Sequence, residues 1–164
     1  MHPASLDDVR LLSECDQTFT RRSGPGGQNR NKVETAVILT HRPTGLTAEA
    51  NERRSQSENR ARALFRLRLL LALEIRRSPG ETATELWRSR LRGGRIHVNG
   101  SHVDFPTLLA EAVDAIHFHD YEAKPAAERL GCSTTQLLGL LRDEPRAFAR
   151  VNARRSERGK HPYR

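Results

Sequence analysis

Aromatic residues are scarce in this chain: one tryptophan, two tyrosines and five phenylalanines among 164 residues. That is poor stock for stacking bases, so a single-strand-binding platform is not expected. Cysteine is scarcer still. Cys15 and Cys132 lie far apart in sequence; a disulfide between them stays open on paper, but two lone cysteines read as reduced, structural thiols. No run of about 18 apolar residues exists, so no membrane-spanning helix is expected. The opening MHPASLDDVRLLSEC carries early acids and no apolar centre, unlike a secretory or transit peptide. Histidines are present, but His97, His102, His117 and His119 lack ligand spacing, so neither a metal nor another cofactor is expected. These absences lead to the expectation of a soluble protein in a reducing compartment.

Positive charge is what the chain has in excess. Lys and Arg number 28 against 20 acids, a net charge of +8 and a pI near 10.6. A polyanion is the partner class this implies, with a merely solvated basic surface as the bland alternative.

Ser5 is placed to cap a first helix, with Asp7 and Asp8 in its first turn. Gln17–Arg21 reads as extended. The β-branched run Glu34–His41 reads as a strand, Arg42-Pro43-Thr44-Gly45 as a type I turn, and Leu46–Ala50 as the returning strand. Ser55-Gln56-Ser57-Glu58 is a capping box that opens a long helix to about Arg77. Its apolar stripes are Leu64, Leu67, Leu71, Ile75 and Phe65, Leu69, Ala72. Arg62, Arg66, Arg76 and Arg77 share a sector that is either an RNA-facing or a solvated face. A second capping box, Ser78-Pro79-Gly80-Glu81, predicts a helix through Trp87 to Leu91. Further helices are expected after Phe105, through Ala126–Leu130 with Gly131 as the stop, from Ser133 onward, and from Pro145 toward Arg155. The tail SERGKHPYR is expected to fray.

Between the first two strands lies SGPGGQNRNK, residues 23–32. A bare Gly-Gly-Gln means little, since it turns up by chance in roughly one chain in thirty of this size. The surroundings carry more. Arg21, Arg22, Arg30 and Lys32 flank the loop, and Gln28 ends it with an amide able to donate and accept. A phosphate-binding loop would require Gly-Lys-Ser/Thr opening a helix, which is missing. A nucleophile elbow is missing too, and Ser23 has no evident base.

The stretch resembles the catalytic loop of class I peptide chain release factors. The resemblance covers roughly residues 17–75: Gly26-Gly27-Gln28, then Asn31-Lys32, a strand ending near His41, a Pro43-Thr44-Gly45 turn, a second strand, and Arg54-Ser55-Gln56 with Asn59-Arg60 opening the long helix. The Gly-Pro-Gly-Gly-Gln form is most similar to the short mitochondrial release-factor-like proteins, their bacterial cousins and the codon-independent ribosome-rescue hydrolases. This implies an α+β fold, a short antiparallel sheet packed on a long helix, and hydrolysis of the peptidyl-tRNA ester inside the ribosomal peptidyl transferase centre. Gly26 and Gly27 would give clearance. The Gln28 main-chain N–H would donate to the developing oxyanion or leaving oxygen, and its side chain would place the water. Its amide is a poor base, so no proton abstraction falls to it. Arg21, Arg22, Arg30, Lys32, Arg54 and Gln56 would meet RNA, with helix capping and packing as the alternative for the last two.

About 16 residues precede the match, which leaves no room for codon-reading domains in front, and no stop-codon tripeptide of the family follows. The expected action is therefore codon-independent. The expected organisation is a Gly-Gly-Gln domain (1–77), a helical appendage (78–142) and a basic helix and tail (143–164). In the appendage, residues 125–141 read either as a helix-turn-helix or as plain bundle helices. The arginines from 142 to 158 recur every four residues and are read as one face. Arg150, Arg154, Arg155, Arg158 and Lys160 are the expected RNA contacts of the tail. The expected partners are the ribosome with large-subunit RNA and peptidyl-tRNA, then the mRNA channel or a partner rescue factor, with no membrane and a monomeric chain. The rival class is a non-catalytic rRNA- or DNA-binding protein using the same basic surface.

Overall fold

The structure, a computed structural model, describes residues 1–21 and 34–164. Its elements in chain order are α1 (Asp8–Ser13), β1 (Cys15–Thr20), β2 (Ala36–His41), β3 (Leu46–Ala50), α2 (Gln56–Glu74), α3 (Glu85–Arg90), β4 (Leu91–Arg92), β5 (Arg95–Ile96), α4 (Phe105–Phe118), α5 (Ala123–Leu130), α6 (Thr134–Arg142) and α7 (Pro145–Ser156). The fold is α+β. The chain divides into two compact units, Pro3–Leu71 and Ala72–Arg164, the second including Met1–His2.

In the first unit β1, β2 and β3 form an antiparallel sheet with β2 in the middle. The turn joining β2 to β3 closes with Gly45 N–H donating to His41 O at 2.8 Å, and Gly45 has φ +71°. Alternation puts Val37, Leu39 and His41 on the buried face, joined by Ala48 and Ala50 of β3. Leu64, Leu67 and Leu71 of α2 are buried, as the stripe predicts. Arg68 is buried on the same helix, where it donates to the carbonyls of Ala4 and Leu6 and pairs with Asp8. The first helix starts later than its predicted cap. Asp7 is the N-cap, accepting from Arg10 N–H at 2.9 Å, and Ser5 ends a 3₁₀ turn instead. The helix α2 ends at Glu74, short of Arg77.

The second unit is mostly helical. No helix starts at Pro79. The cap that operates is Thr84, whose hydroxyl accepts from Trp87 N–H and itself donates to Glu111. That leaves α3 only six residues, and its Trp87 is buried with Nε1 donating to Leu130 O at 2.8 Å. The Arg92-Gly93-Gly94-Arg95 break is a hairpin, β4–β5, with both glycines at positive φ. The helices α4, α5, α6 and α7 pack in sequence around Leu108, Leu109, Ile116, Leu137 and Leu141. Gly131 caps α5 at φ +71° and Ser133 caps α6, as read from the sequence.

The tail is not frayed. Tyr163 N–H donates to Asn152 Oδ1, Asn152 Nδ2 donates back to Tyr163 O, and Tyr163 Oη accepts from Ala123 N–H. Composition alone cannot reveal such a strap, because it depends on one aromatic landing on one arginine. The predicted single arginine face is also interrupted. Arg142 ends α6 and Arg158 lies past α7, so Arg146, Arg150, Arg154 and Arg155 are the arginines of that helix, and Arg155 is buried.

Candidate functional site

Gly26, Gly27 and Gln28, with Arg22, Arg30 and Lys32, lie outside the described residues. Both ends of their segment are described. Thr20 and Ala36 are register partners across β1 and β2, so the connection leaves and re-enters the sheet at one point. Arg21 is exposed at the outgoing end.

The returning end is held by α2. Gln56 Nε2 donates to Glu34 O at 3.0 Å, and Asn59 Nδ2 donates to Thr35 O at 2.6 Å. Asn59 is fully buried; its Nδ2 also reaches Arg53 O, and its Oδ1 accepts from Arg53 N–H. One amide side chain thus satisfies three backbone groups that neither strand nor helix could pair. Ser55 contributes a long cap, its Oγ 3.5 Å from Glu58 N. Arg54 stands exposed. Beside Gln56 opens a groove of about 340 Å³ lined by Leu12, Phe19, Arg60 and Leu64. At the β2–β3 turn, His41 is buried between Thr44 Oγ1 at 2.8 Å and Glu14 Oε2 at 3.1 Å, which fixes that end of the sheet.

The tail cations have internal partners. Arg150 donates to Leu73 O and Glu74, Arg154 to Glu157, and Arg158 and Lys160 to Asp120. Arg155 is buried, donating to Tyr121 O at 2.6 Å and to His161 O, while its guanidinium lies 3.9 Å from the Tyr163 ring centroid. The Arg150 guanidinium holds the Glu74 carboxyl below the usual range, and the Lys160 ammonium does the same for Asp120 and Glu122. The structure therefore gathers Arg155, Arg158 and Lys160 around Asp120 and Glu122, with Arg150 and Arg154 separate along α7. Burial pushes the Cys132 thiol up to about 11, so it is no nucleophile at neutral pH.

Two residues that matter here were not singled out by sequence reasoning. Asn59 was visible only as part of the motif opening α2. Arg68 was hidden as one of eight arginines in residues 53–77. Its one signal was position: it falls between Leu64 and Leu71, inside the apolar stripe rather than opposite it.

The RF-1 domain family model matches residues 11–99, more than half of the chain, and the chain belongs to that family. It is 42% identical over 92 residues to the chloroplastic peptide chain release factor PrfB1 of Arabidopsis thaliana, covering 51% of this chain and 20% of that protein. Peptide chain release factor 2 of Thermomicrobium roseum is 39% identical over 100 residues, 56% of this chain and 27% of the relative. Peptide chain release factor 1 of Chlorobaculum tepidum is 56% identical over 62 residues, 37% and 17% respectively. The chain thus spans about a quarter or less of the length of these relatives.

Proposed function

We propose that this protein is a ribosome-dependent, codon-independent peptidyl-tRNA hydrolase that releases nascent peptide from stalled ribosomes. The observation that carries the reading is membership of the RF-1 domain family over a stretch containing Gly26-Gly27-Gln28. Water attacks the ester carbonyl joining peptide to tRNA, negative charge builds on oxygen, and the ribose 3′ oxygen leaves. The Gln28 main-chain N–H donates to that charge, a contact typically worth about 10²–10³ in rate. The Gln28 side chain positions the water. Gly26 and Gly27 remove the side chains that would collide with RNA.

The described residues support a loop held firmly at its root. Gln56 and Asn59 fix the carbonyls of Glu34 and Thr35, so Gln56 acts in positioning rather than in RNA contact. Arg21, Arg22, Arg30, Lys32 and exposed Arg54 supply phosphate contacts around it. On this reading residues 1–77 are the catalytic domain and the helical remainder docks the protein on the ribosome, in a bacterial cytoplasm or an organelle. The tail cations, already paired, have less to offer RNA than their number implies.

The test is peptide release from ribosomes stalled on truncated mRNA, set beside ribosomes with a stop codon or a sense codon in the vacant site. Equal release from all vacant-site states supports codon independence. Release confined to stop codons overturns it, and no release from any overturns the activity.

A further inference from the structure

The hairpin β4–β5 carries a feature that the hydrolase reading leaves unused. Arg92 and Arg95 are direct cross-strand partners flanking Gly93-Gly94, and both are exposed. Directly opposed residues share a face, with Cβ atoms about 4.5–5.5 Å apart, and like charges there are destabilising. The glycines have φ +56° and +72°, which makes the tightest kind of two-residue turn. A Cβ at either would meet nothing within 4 Å, so the tip stands clear of the rest of the described protein.

The other face of the ribbon is anchored. Leu91 and Ile96 are the next cross-strand pair, both half-buried. A Leu91 methyl lies 3.5 Å from where a Gly131 Cβ would stand, and Ile96 N–H donates to Gln136 Oε1. The ribbon therefore sits on the α5–α6 turn with its apolar pair inward and its arginine pair outward. Next along the ribbon, His97 N–H donates to Arg90 O. Arg90 is paired with Asp104, whereas His97 is exposed with no acid paired to it among the described residues.

In the same unit Arg76, Arg90, Arg146, Arg150, Arg154, Arg155 and Arg158 each have a carboxylate within ion-pair distance. Arg92 and Arg95 have none among the described residues, and neither do Arg77, Arg88 and Arg129; what sets Arg92 and Arg95 apart is that they stand directly opposite each other at the tip of a ribbon. Two opposed guanidiniums on a slender, anchored ribbon complement closely spaced phosphates, and a two-stranded ribbon is narrow enough to enter a nucleic-acid groove.

We propose that the β4–β5 ribbon is an RNA-docking finger in which Arg92 and Arg95 straddle backbone phosphates, with His97 beside them. The choice of RNA over DNA rests on the ribosomal reading above. Such contacts position without reading sequence.

The experiment measures binding of the full chain to ribosomal large subunits and to a short DNA duplex across a salt series, with peptide release by the parent run in parallel. Arg92→Gln/Arg95→Gln should flatten the slope of log affinity against log salt by about 1.4–1.8, two contacts at roughly 0.7–0.9 each. Arg92→Lys/Arg95→Lys should restore most of the slope. Lys124→Gln/Arg164→Gln, an equal loss of charge elsewhere on the unit, should leave it intact. A parent that releases peptide while the double Gln variant keeps the parental slope overturns the finger alone. An equal loss in the Lys124/Arg164 control overturns it too, as bulk charge. Duplex DNA bound as tightly as the subunit, with the same dependence on Arg92 and Arg95, overturns the choice of RNA. A parent that neither binds nor releases overturns both proposals.

Discussion

A formal charge says little about an arginine until its partners are known. Arg154 and Arg155 are neighbours in sequence and were read alike, as RNA contacts. The structure separates them: Arg154 is exposed beside Glu157, while Arg155 is buried and bonded to Tyr121 O, His161 O and Glu122. Removing Arg155 strands buried carbonyls and the Tyr163 hydroxyl. Arg155→Ala is expected to cost about 2–4 kcal/mol in urea unfolding, with the strapped tail released to proteolysis. Arg154→Ala should unfold at the parental urea midpoint. Sequence periodicity could not mark Arg155 as buried, because a buried guanidinium is satisfied by carbonyls contributed from distant turns. Arg68 is satisfied in the same way, by the Ala4 and Leu6 carbonyls, although its place inside the apolar stripe did mark it.

At the level of elements, most of the fold was legible. The strands β2 and β3, the turn between them, the start of α2 and the stop at Gly131 all follow from local chemistry: β-branched alternation, a Pro-Thr-Gly turn, a capping serine, a glycine able to take φ +71°. The start of α3 was misplaced because two cap-like sites compete. Ser78 precedes a proline and a glycine, a weak start, whereas Thr84 gains Glu111 as a second partner from α4. Tertiary contact chose between them, and no local pattern carries that information. The candidate site divides the same way. Its motif was plain, but the brace at its root was not, since Asn59 acts on Thr35 across 24 positions. Asn59→Ala leaves Thr35 O, Arg53 O and Arg53 N–H without their partner and should cost about 2–4 kcal/mol, read from denaturant midpoints. Gln56→Ala, at an exposed position, should cost less than about 1 kcal/mol. Equal costs for the two would contradict the brace.

For the whole molecule, net charge sets the partner class and a few buried groups set the response to pH. Asp114 is buried, accepting from Arg76 Nη1 at 3.0 Å and Arg77 N–H at 3.1 Å, and burial pushes its carboxyl from 3.8 up to about 6. Between those values the folded state keeps a proton that the unfolded chain has lost, so this contribution falls as pH rises. Burial lowers His2 from 6.5 to about 4, so its contribution is lost as pH falls through that window. Asp114→Asn removes the first and leaves the second. Its stability relative to the parent should rise between pH 4 and pH 6, by up to roughly 3 kcal/mol, in denaturant titrations at stepped pH. Parallel profiles would contradict the assignment. The central claim is that the Gly26-Gly27-Gln28 main chain does the chemistry on the ribosome, and single-turnover peptide release by Gly27→Ala tests it most directly. The account predicts ribosome binding like the parent's with release slowed about 10²–10³-fold; release as fast as the parent's would contradict it.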